Sequence, residues 1–484
     1  MRIVRTGIEE LDLVLGGGLP AGSLVVLAGS PGTGKTILAQ QMCFGIATRE
    51  RRAIYYTTLS EPHDKLIEHV GQFTFFDAGE LGTQVEFIDL ADLLSGGEEP
   101  AGATGEIAAE VVRECFETHP AIVVIDSAKA LRDYGDPKSM RKTLYDFASL
   151  VAGTGVVLVL VGEYTELEME ELPEFAVADV IIRMAYESRE PVDRRWLRTV
   201  KLRGARHLEG KHAMRVSNAG IKVYPRLETL PALPSPAVES ARIESGLPEL
   251  DALMGGGLYA ADTTALLGPT GCGKTTIALR FVAHGALEDE SCLYISFQET
   301  PEQLLAKALG FGWDVTDAHD SGRLRIRHVL PEDVNLDALA AVVRAELDDA
   351  PVQRVVIDSL TELVLAAGET QRLPAYCRVL TALVSAAGAS LMITSETLAL
   401  GPTLEPLGGL SFLFQNVIML RYVEIGSELR RAMSILKMRD SAHAKGLIQF
   451  DIDGDGPRIM TQLEGVTGAL GWSALHADVP ARTV

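Results

Sequence analysis

Two short stretches of the 484-residue chain carry residue types suited to holding phosphate. The first is Gly29-Ser30-Pro31-Gly32-Thr33-Gly34-Lys35-Thr36, followed by Ile37. The second is Gly268-Pro269-Thr270-Gly271-Cys272-Gly273-Lys274-Thr275, followed by Thr276. Glycines let a backbone wrap closely around an anion with its N–H groups pointing inward. The lysine amine reaches the outer phosphates, and the hydroxyl of Thr36 or Thr275 is a hard oxygen ligand for Mg²⁺. Each stretch follows an apolar run, Leu24 to Ala28 in one case and Thr264 to Leu267 in the other, and precedes a helical pattern. That is the strand, loop and helix context a phosphate-binding loop requires. Two full matches in that context imply two nucleoside-triphosphate sites.

Three further pairs of residues suit the chemistry of such a site. Val123-Val124-Ile125-Asp126 and Val355-Val356-Ile357-Asp358 each end an apolar strand in an aspartate placed to hold Mg²⁺ through water. Thr58-Leu59-Ser60-Glu61-Pro62 and Ser296-Phe297-Gln298-Glu299-Thr300-Pro301 each supply a carboxylate, Glu61 or Glu299, that can act on an attacking water. The same acids also stand where a helix begins and suit its dipole. Lys201-Leu202-Arg203 and Lys437-Met438-Arg439 each put two cations on one face of a strand, since alternate residues share a face. Paired cations complement the charge of a triphosphate in its transition state, although lysines also protect exposed strand edges.

The elements that position these residues are written twice. The same 239-residue offset separates Gly7 from Gly246, Asp12 from Asp251 and Lys35 from Lys274. Apolar segments alternate with helical patterns in both copies: Ala53 to Thr57, Ala121 to Asp126 and Val156 to Val161, then Cys292 to Ser296, Val355 to Asp358 and Ser390 to Thr394. Fully apolar strands separated by helices predict an α/β fold with a buried, mostly parallel sheet covered on both faces. Segments beginning at Val180 and Val417 are expected to start antiparallel hairpins that extend it. The predicted organisation is a first domain over 1–230, a Pro-rich linker over 231–242, a second domain over 243–465 and a tail over 466–484. A net charge of −22 opposes broad binding to nucleic acid or anionic membranes. No apolar run approaches the length of a membrane span, and the N-terminus lacks a signal-peptide core, so a cytoplasmic protein is expected. The five scattered cysteines read as reduced residues.

Together, the paired glycine-rich turns (Gly16-Gly17-Gly18 and Gly255-Gly256-Gly257), the two loops and the two Lys-x-Arg strands resemble the KaiC family of tandem RecA-like ATPases. The likeness covers nearly the whole chain and is strongest from Tyr422 through Lys437-Met438-Arg439. It implies two RecA-like P-loop domains stacked as two rings of a homohexamer, with ATP and Mg²⁺ between neighbouring subunits. It also implies that Lys201, Leu202, Arg203, Lys437, Met438 and Arg439 reach the neighbour's nucleotide. His207, Ser441, His443 and Lys445 would be peripheral contacts, and Phe311 would lie near the adenine. An ATPase that signals its nucleotide state to a protein partner is the leading expectation. Departures leave other readings open. Family clock members carry two glutamates where Ser60-Glu61 and Gln298-Glu299 stand, and a glutamine orients water without accepting its proton. A nucleotide-gated scaffold with negligible turnover therefore remains an alternative. Ser411 stands where the family has a Ser-Thr phosphosite, which keeps a serine autokinase in view. A DNA-dependent motor is disfavoured by the charge.

Overall fold

A computed structural model describes residues 2–57, 63–90, 103–129, 137–189, 192–231, 241–330, 335–367, 371–397, 410–425, 428–463, 466–467 and 475–476. Contacts within the chain separate two compact units, Met1–Leu230 and Pro231–Val484. Most of the expected linker and tail lies outside the described residues.

The first unit contains β1 (Ile3–Val4), α1 (Glu9–Val14), β2 (Leu19–Pro20), β3 (Leu24–Gly29), α2 (Lys35–Ile46), β4 (Ala53–Thr57), α3 (His63–Val70), β5 (Val85–Asp89), α4 (Ala103–Thr118), β6 (Ile122–Asp126), α5 (Pro137–Thr154), β7 (Val157–Glu163), α6 (Glu166–Glu171), α7 (Pro173–Val177), β8 (Val180–Arg189), β9 (Val192–Leu202), β10 (His212–Ser217) and β11 (Gly220–Tyr224). One sheet takes the order β11-β10-β9-β8-β3-β7-β6-β4-β5. Strands β8, β3, β7, β6, β4 and β5 run parallel, and β8 turns back into β9 as an antiparallel hairpin. Strand β3 explains the apolar run in its sequence. Val25 and Leu27 enter one core cluster while Leu24, Val26 and Ala28 enter another, so both faces of the sheet are buried. Each of the buried Val and Leu side chains contributes about 1.5–3 kcal/mol of hydrophobic stabilisation, which anchors the strand that carries the phosphate loop.

The second unit repeats the plan. Its elements are β12 (Arg242–Ile243), α8 (Pro248–Leu253), β13 (Leu258–Tyr259), β14 (Thr263–Gly268), α9 (Lys274–Leu287), β15 (Cys292–Ser296), α10 (Pro301–Gly310), α11 (Thr316–Asp320), β16 (Leu324–His328), α12 (Leu336–Asp349), β17 (Arg354–Asp358), α13 (Leu360–Ala367), α14 (Leu373–Ala386), β18 (Ser390–Glu396), β19 (Asn416–Ile425), β20 (Glu428–Met438), β21 (Ile448–Asp453) and β22 (Gly456–Gln462). The sheet order β16-β15-β17-β18-β14-β19-β20-β21-β22 is the same arrangement. The fold class is therefore two tandem RecA-like α/β domains.

The glycine-rich turns have a packing role in this fold. Gly16 has φ +73, and a Cβ there would stand 2.1 Å from the carbonyl oxygen of Arg206. Only glycine lets the turn lie against the segment that follows the Lys-x-Arg triplet. Gly255 repeats the contact more loosely, at 3.1 Å from the carbonyl oxygen of Ala442.

Candidate nucleotide sites

Each phosphate loop joins the end of a central strand to a helix. Gly34 and Gly273 precede α2 and α9 with φ of 96 and 107, in the left-handed region that glycine adopts without strain. Gly29 ends β3 because the neighbouring strand passes close, and a Cβ would lie 2.1 Å from the carbonyl oxygen of Met184. Lys35 donates from Nζ to the carbonyl oxygen of Ser30 at 2.8 Å and stands 4.0 Å from Glu163. Burial lowers its pKa, opposed by the charges of Glu163 and Asp126. Lys274 donates to the carbonyl oxygens of Gly268 and Pro269 at 2.9 and 3.0 Å. Thr33 closes the first loop by donating to Ser30 at 2.9 Å, and a buried Cys272 takes its place in the second.

The strand-end aspartates adjoin these loops. Asp126 Oδ2 accepts from the hydroxyl of Thr36 at 2.7 Å and from Tyr55 at 2.6 Å. Asp358 accepts from Tyr294 at 2.8 Å and from the hydroxyl of Thr394. Burial, reinforced by the adjacent carboxylate, raises both tyrosines well above the ordinary phenol range. They are therefore neutral donors that fix the aspartates. A hydroxyl beside a carboxylate is a hard-oxygen set that fits Mg²⁺ better than a soft metal. Among the described residues no group of three or more His, Cys, Asp and Glu could hold a metal ion.

In the second copy these groups line a cavity of about 270 Å³ that includes Lys274, Thr275, Gln298, Glu299, Asp358 and Glu396. Lys307 also lines it and pairs with Glu299, with one carboxylate oxygen at 2.7 Å. Gln298 donates its amide to Glu362 at 2.6 Å, and Thr270 donates to Glu396 at 2.9 Å. Phe311 does not line the cavity. It ends α10 against Trp313 at the edge of the core, with ring centroids 4.8 Å apart.

Glu61 and Ser60 lie outside the described residues. The strands nonetheless revise the pairing expected for them. Tyr55 and Tyr294 both bind the strand-end aspartate, and β4 and β15 begin and end at the same 239-residue offset. At that offset Ser60 is the counterpart of Glu299, Leu59 of Gln298 and Glu61 of Thr300, which caps α10. Counted at that offset, the expected alignment of Glu61 with Glu299 is one residue out of register.

The Lys-x-Arg triplets run from the middle of the sheet to the end away from their own loops. Gly29 is level with Met184 on β8, whereas Lys201 is level with Ile181, which pairs with Val26. Arg203 lies lower still, its backbone N–H bonded to Asp179, whose own N–H meets Leu24. Lys437 is level with Val417 and Ala265, and Arg439 bonds Gln415, which bonds Thr263. Lys201 is held by the carbonyls of Phe175 and Ala176, each at 3.1 Å, and Lys437 by those of Ser411 and Phe414 at 3.1 and 2.6 Å. Partial burial, then the neighbouring arginine, lowers the pKa of each lysine. The side chains of Leu202 and Met438 pack against the core, because strand alternation turns them away from the cations. Ser441 bonds Arg242 and the carbonyl of Met254 at 2.8 and 3.0 Å, and His443 and Lys445 follow it on the same loop. His207 is half-buried in the equivalent loop of the first copy. The hydroxyl-bearing Ser411 is exposed in a short turn at Ser411–Leu413.

Sequence reasoning missed Tyr55, Tyr294, Glu163, Glu396, Lys307 and Glu362. The tyrosines carry the repeat offset, and both glutamates end the strand after the aspartate strand, so recurrence offered a signal for those four. Nothing in the spacing marks Lys307 or Glu362.

Comparison with known proteins agrees with this construction. The family described as "ATPase: KaiC" matches residues 4–228 and again 243–464. The circadian clock protein KaiC3 of Synechocystis sp. is 28% identical over 491 residues, covering 98% of this chain and 94% of that protein. The circadian clock oscillator protein KaiC of Rippkaea orientalis is 28% identical over 480 residues, covering 95% and 89%. Its namesake in Synechococcus elongatus is 27% identical over 467 residues, covering 94% and 88%. With the family's pattern matched once in each domain and each match containing a phosphate loop and its strand-end aspartate, the chain belongs to the KaiC family of ATPases.

Proposed function

We propose that the protein is a ring-forming ATPase that binds ATP and Mg²⁺ at both loops, hydrolyses it slowly and presents the resulting ring state to a protein partner. Lys35 and Lys274 hold the outer phosphates, and Thr36 with Asp126 and Thr275 with Asp358 hold the metal, which neutralises charge on the transferred phosphoryl group. The observation that carries the ring is the sheet register. Lys201, Arg203, Lys437 and Arg439 lie too far from the loops of their own domains, so a neighbouring subunit's nucleotide is the phosphate they suit. A homohexamer of two stacked rings closes such head-to-tail contacts. Among the described residues no helix is long and apolar enough to cross a membrane, and a cytoplasmic location goes with this reading. The test is steady-state phosphate release and sizing in ATP and Mg²⁺ for wild type, Lys35→Ala and Lys274→Ala. Hexamers whose turnover falls in at least one variant are expected. A protein that stays monomeric and whose turnover neither substitution changes would sink the proposal.

Two observations favour unequal duties for the copies. Ser60 and Leu59 give the first copy no carboxylate or amide at the positions of Glu299 and Gln298, which supports a nucleotide-holding, slowly hydrolysing first ring. Ser411 is exposed, and its carbonyl accepts from Lys437, so a hydroxyl stands beside a cation suited to a neighbour's phosphate. Autophosphorylation there is the second reading.

A further inference from the structure

We infer that Glu362 is the positioning residue that sets the orientation of Gln298 and thereby makes the second copy the hydrolytic one. This inference rests on the ATPase reading above. Gln298 lines the cavity beside Lys274 and Asp358, while Glu362 stands behind it on α13, outside the lining. The two meet at 2.6 Å, amide nitrogen to carboxylate oxygen. An ionised carboxylate only accepts, so the amide must turn its NH₂ toward Glu362. The amide oxygen is then turned away from Glu362 and is the acceptor that Gln298 can offer to the cavity it lines. The other carboxylate oxygen of Glu362 accepts from the hydroxyl of Ser359, which is buried and follows Asp358 directly in sequence. Glu362 is thereby tied to the strand end that carries the metal-binding carboxylate.

An oriented glutamine has a defined use in hydrolysis. Its carbonyl oxygen accepts a hydrogen from the attacking water and leaves the water's lone pair directed at the γ-phosphorus. The new P–O bond forms as the bond to the β,γ-bridging oxygen breaks, ADP leaves, and the water's proton passes to the phosphate product. Gln298 takes no proton, consistent with an amide near neutral pH. If the amide rotated, its NH₂ would occupy the lone pair that must attack. The other cavity carboxylates are engaged elsewhere: Glu299 with Lys307, Glu396 with Thr270 and Asp358 with Tyr294 and Thr394. The pair is also confined to one copy. Leu59 stands at the position of Gln298, and Ala130, four residues after Asp126, stands at that of Glu362. Both partners are present in one domain and both are missing in the other.

The test measures the Lys274-dependent part of phosphate release in the full-length protein, together with ATP affinity and melting temperature, for Glu362→Ala, Glu362→Gln, Gln298→Ala and the double alanine variant. Glu362→Ala is expected to slow turnover about tenfold with ATP affinity unchanged. Glu362→Gln, whose carbonyl oxygen still accepts the bond, should lose at most about threefold. In the Gln298→Ala background, removing Glu362 should cost nothing further, since there is no amide left to orient. Additive losses, a parallel fall in ATP affinity or melting temperature, or a wild-type rate in Glu362→Ala would overturn the inference while Lys274-dependent turnover upheld the ATPase. Absence of any Lys274-dependent turnover would instead remove the hydrolytic reading of this site and the inference with it.

Discussion

Arg439→Ala and Lys274→Ala should each silence the second copy alone and restore it when combined in one ring. The geometry sets this expectation. Arg439 is bonded through Gln415 to Thr263, at the start of β14, whereas the loop leaves that strand at Gly268. Five residue steps of strand span about 16 Å, and β20 lies two strands over, about 10 Å away, so the backbones stand about 19 Å apart. An arginine side chain bridges about 7 Å, too little to reach a nucleotide on its own loop. Removing a charge-stabilising arginine is expected to cost at least about tenfold in turnover. In rings co-assembled at equal ratio, half of the sites keep an intact loop and half of their neighbours keep an intact arginine. About a quarter of the second-copy rate should therefore return, above the baseline each variant shows alone. Phosphate release by co-expressed, doubly tagged rings measures it. Mixed rings no faster than the average of the two parents would refute trans action and leave the cations as an exposed basic edge.

Two further outcomes are expected. Tyr294→Phe removes a fully buried donor to Asp358 and should destabilise the second domain by about 1–2 kcal/mol in chemical denaturation while raising the Mg²⁺ concentration needed for half-maximal turnover; unchanged metal dependence would argue against Asp358 as a metal-holding group. Burial holds Lys35 below the ordinary lysine value, and a bound phosphate raises it again, so ATP binding should take up protons in the window between the lowered value and the ordinary one. Calorimetry in buffers of differing ionisation enthalpy reads the sign, which Lys35→Ala should abolish; the same linkage means that the unfolded chain binds the proton more tightly in that window, so this lysine's burial cost to the folded state fades as pH rises.

The duplication, the two phosphate loops, the strand-end aspartates and the buried parallel sheet were all legible in the chain. Each depends on residues close in sequence or on the alternation of apolar runs, and each appears once in either copy. The hairpins expected at Val180 and Val417 formed as β8–β9 and β19–β20. After β4 a glutamate stands one position beyond the counterpart of Glu299, and the shared bounds of β4 and β15 put Ser60 at that place in the count.

What tertiary structure alone decided is which side chains meet. Gln298 finds Glu362, and Tyr294 finds Asp358, each across 64 residues, because β15 and β17 lie side by side and end together. Glu299 is engaged by Lys307 from the following helix. The separation of Lys437 and Arg439 from their own loop arises from an antiparallel hairpin that carries them back toward the far end of the sheet. Spacing along a chain fixes the parts of a site that one turn or strand end can hold, whereas strand order and direction fix the parts that must be brought together or held apart.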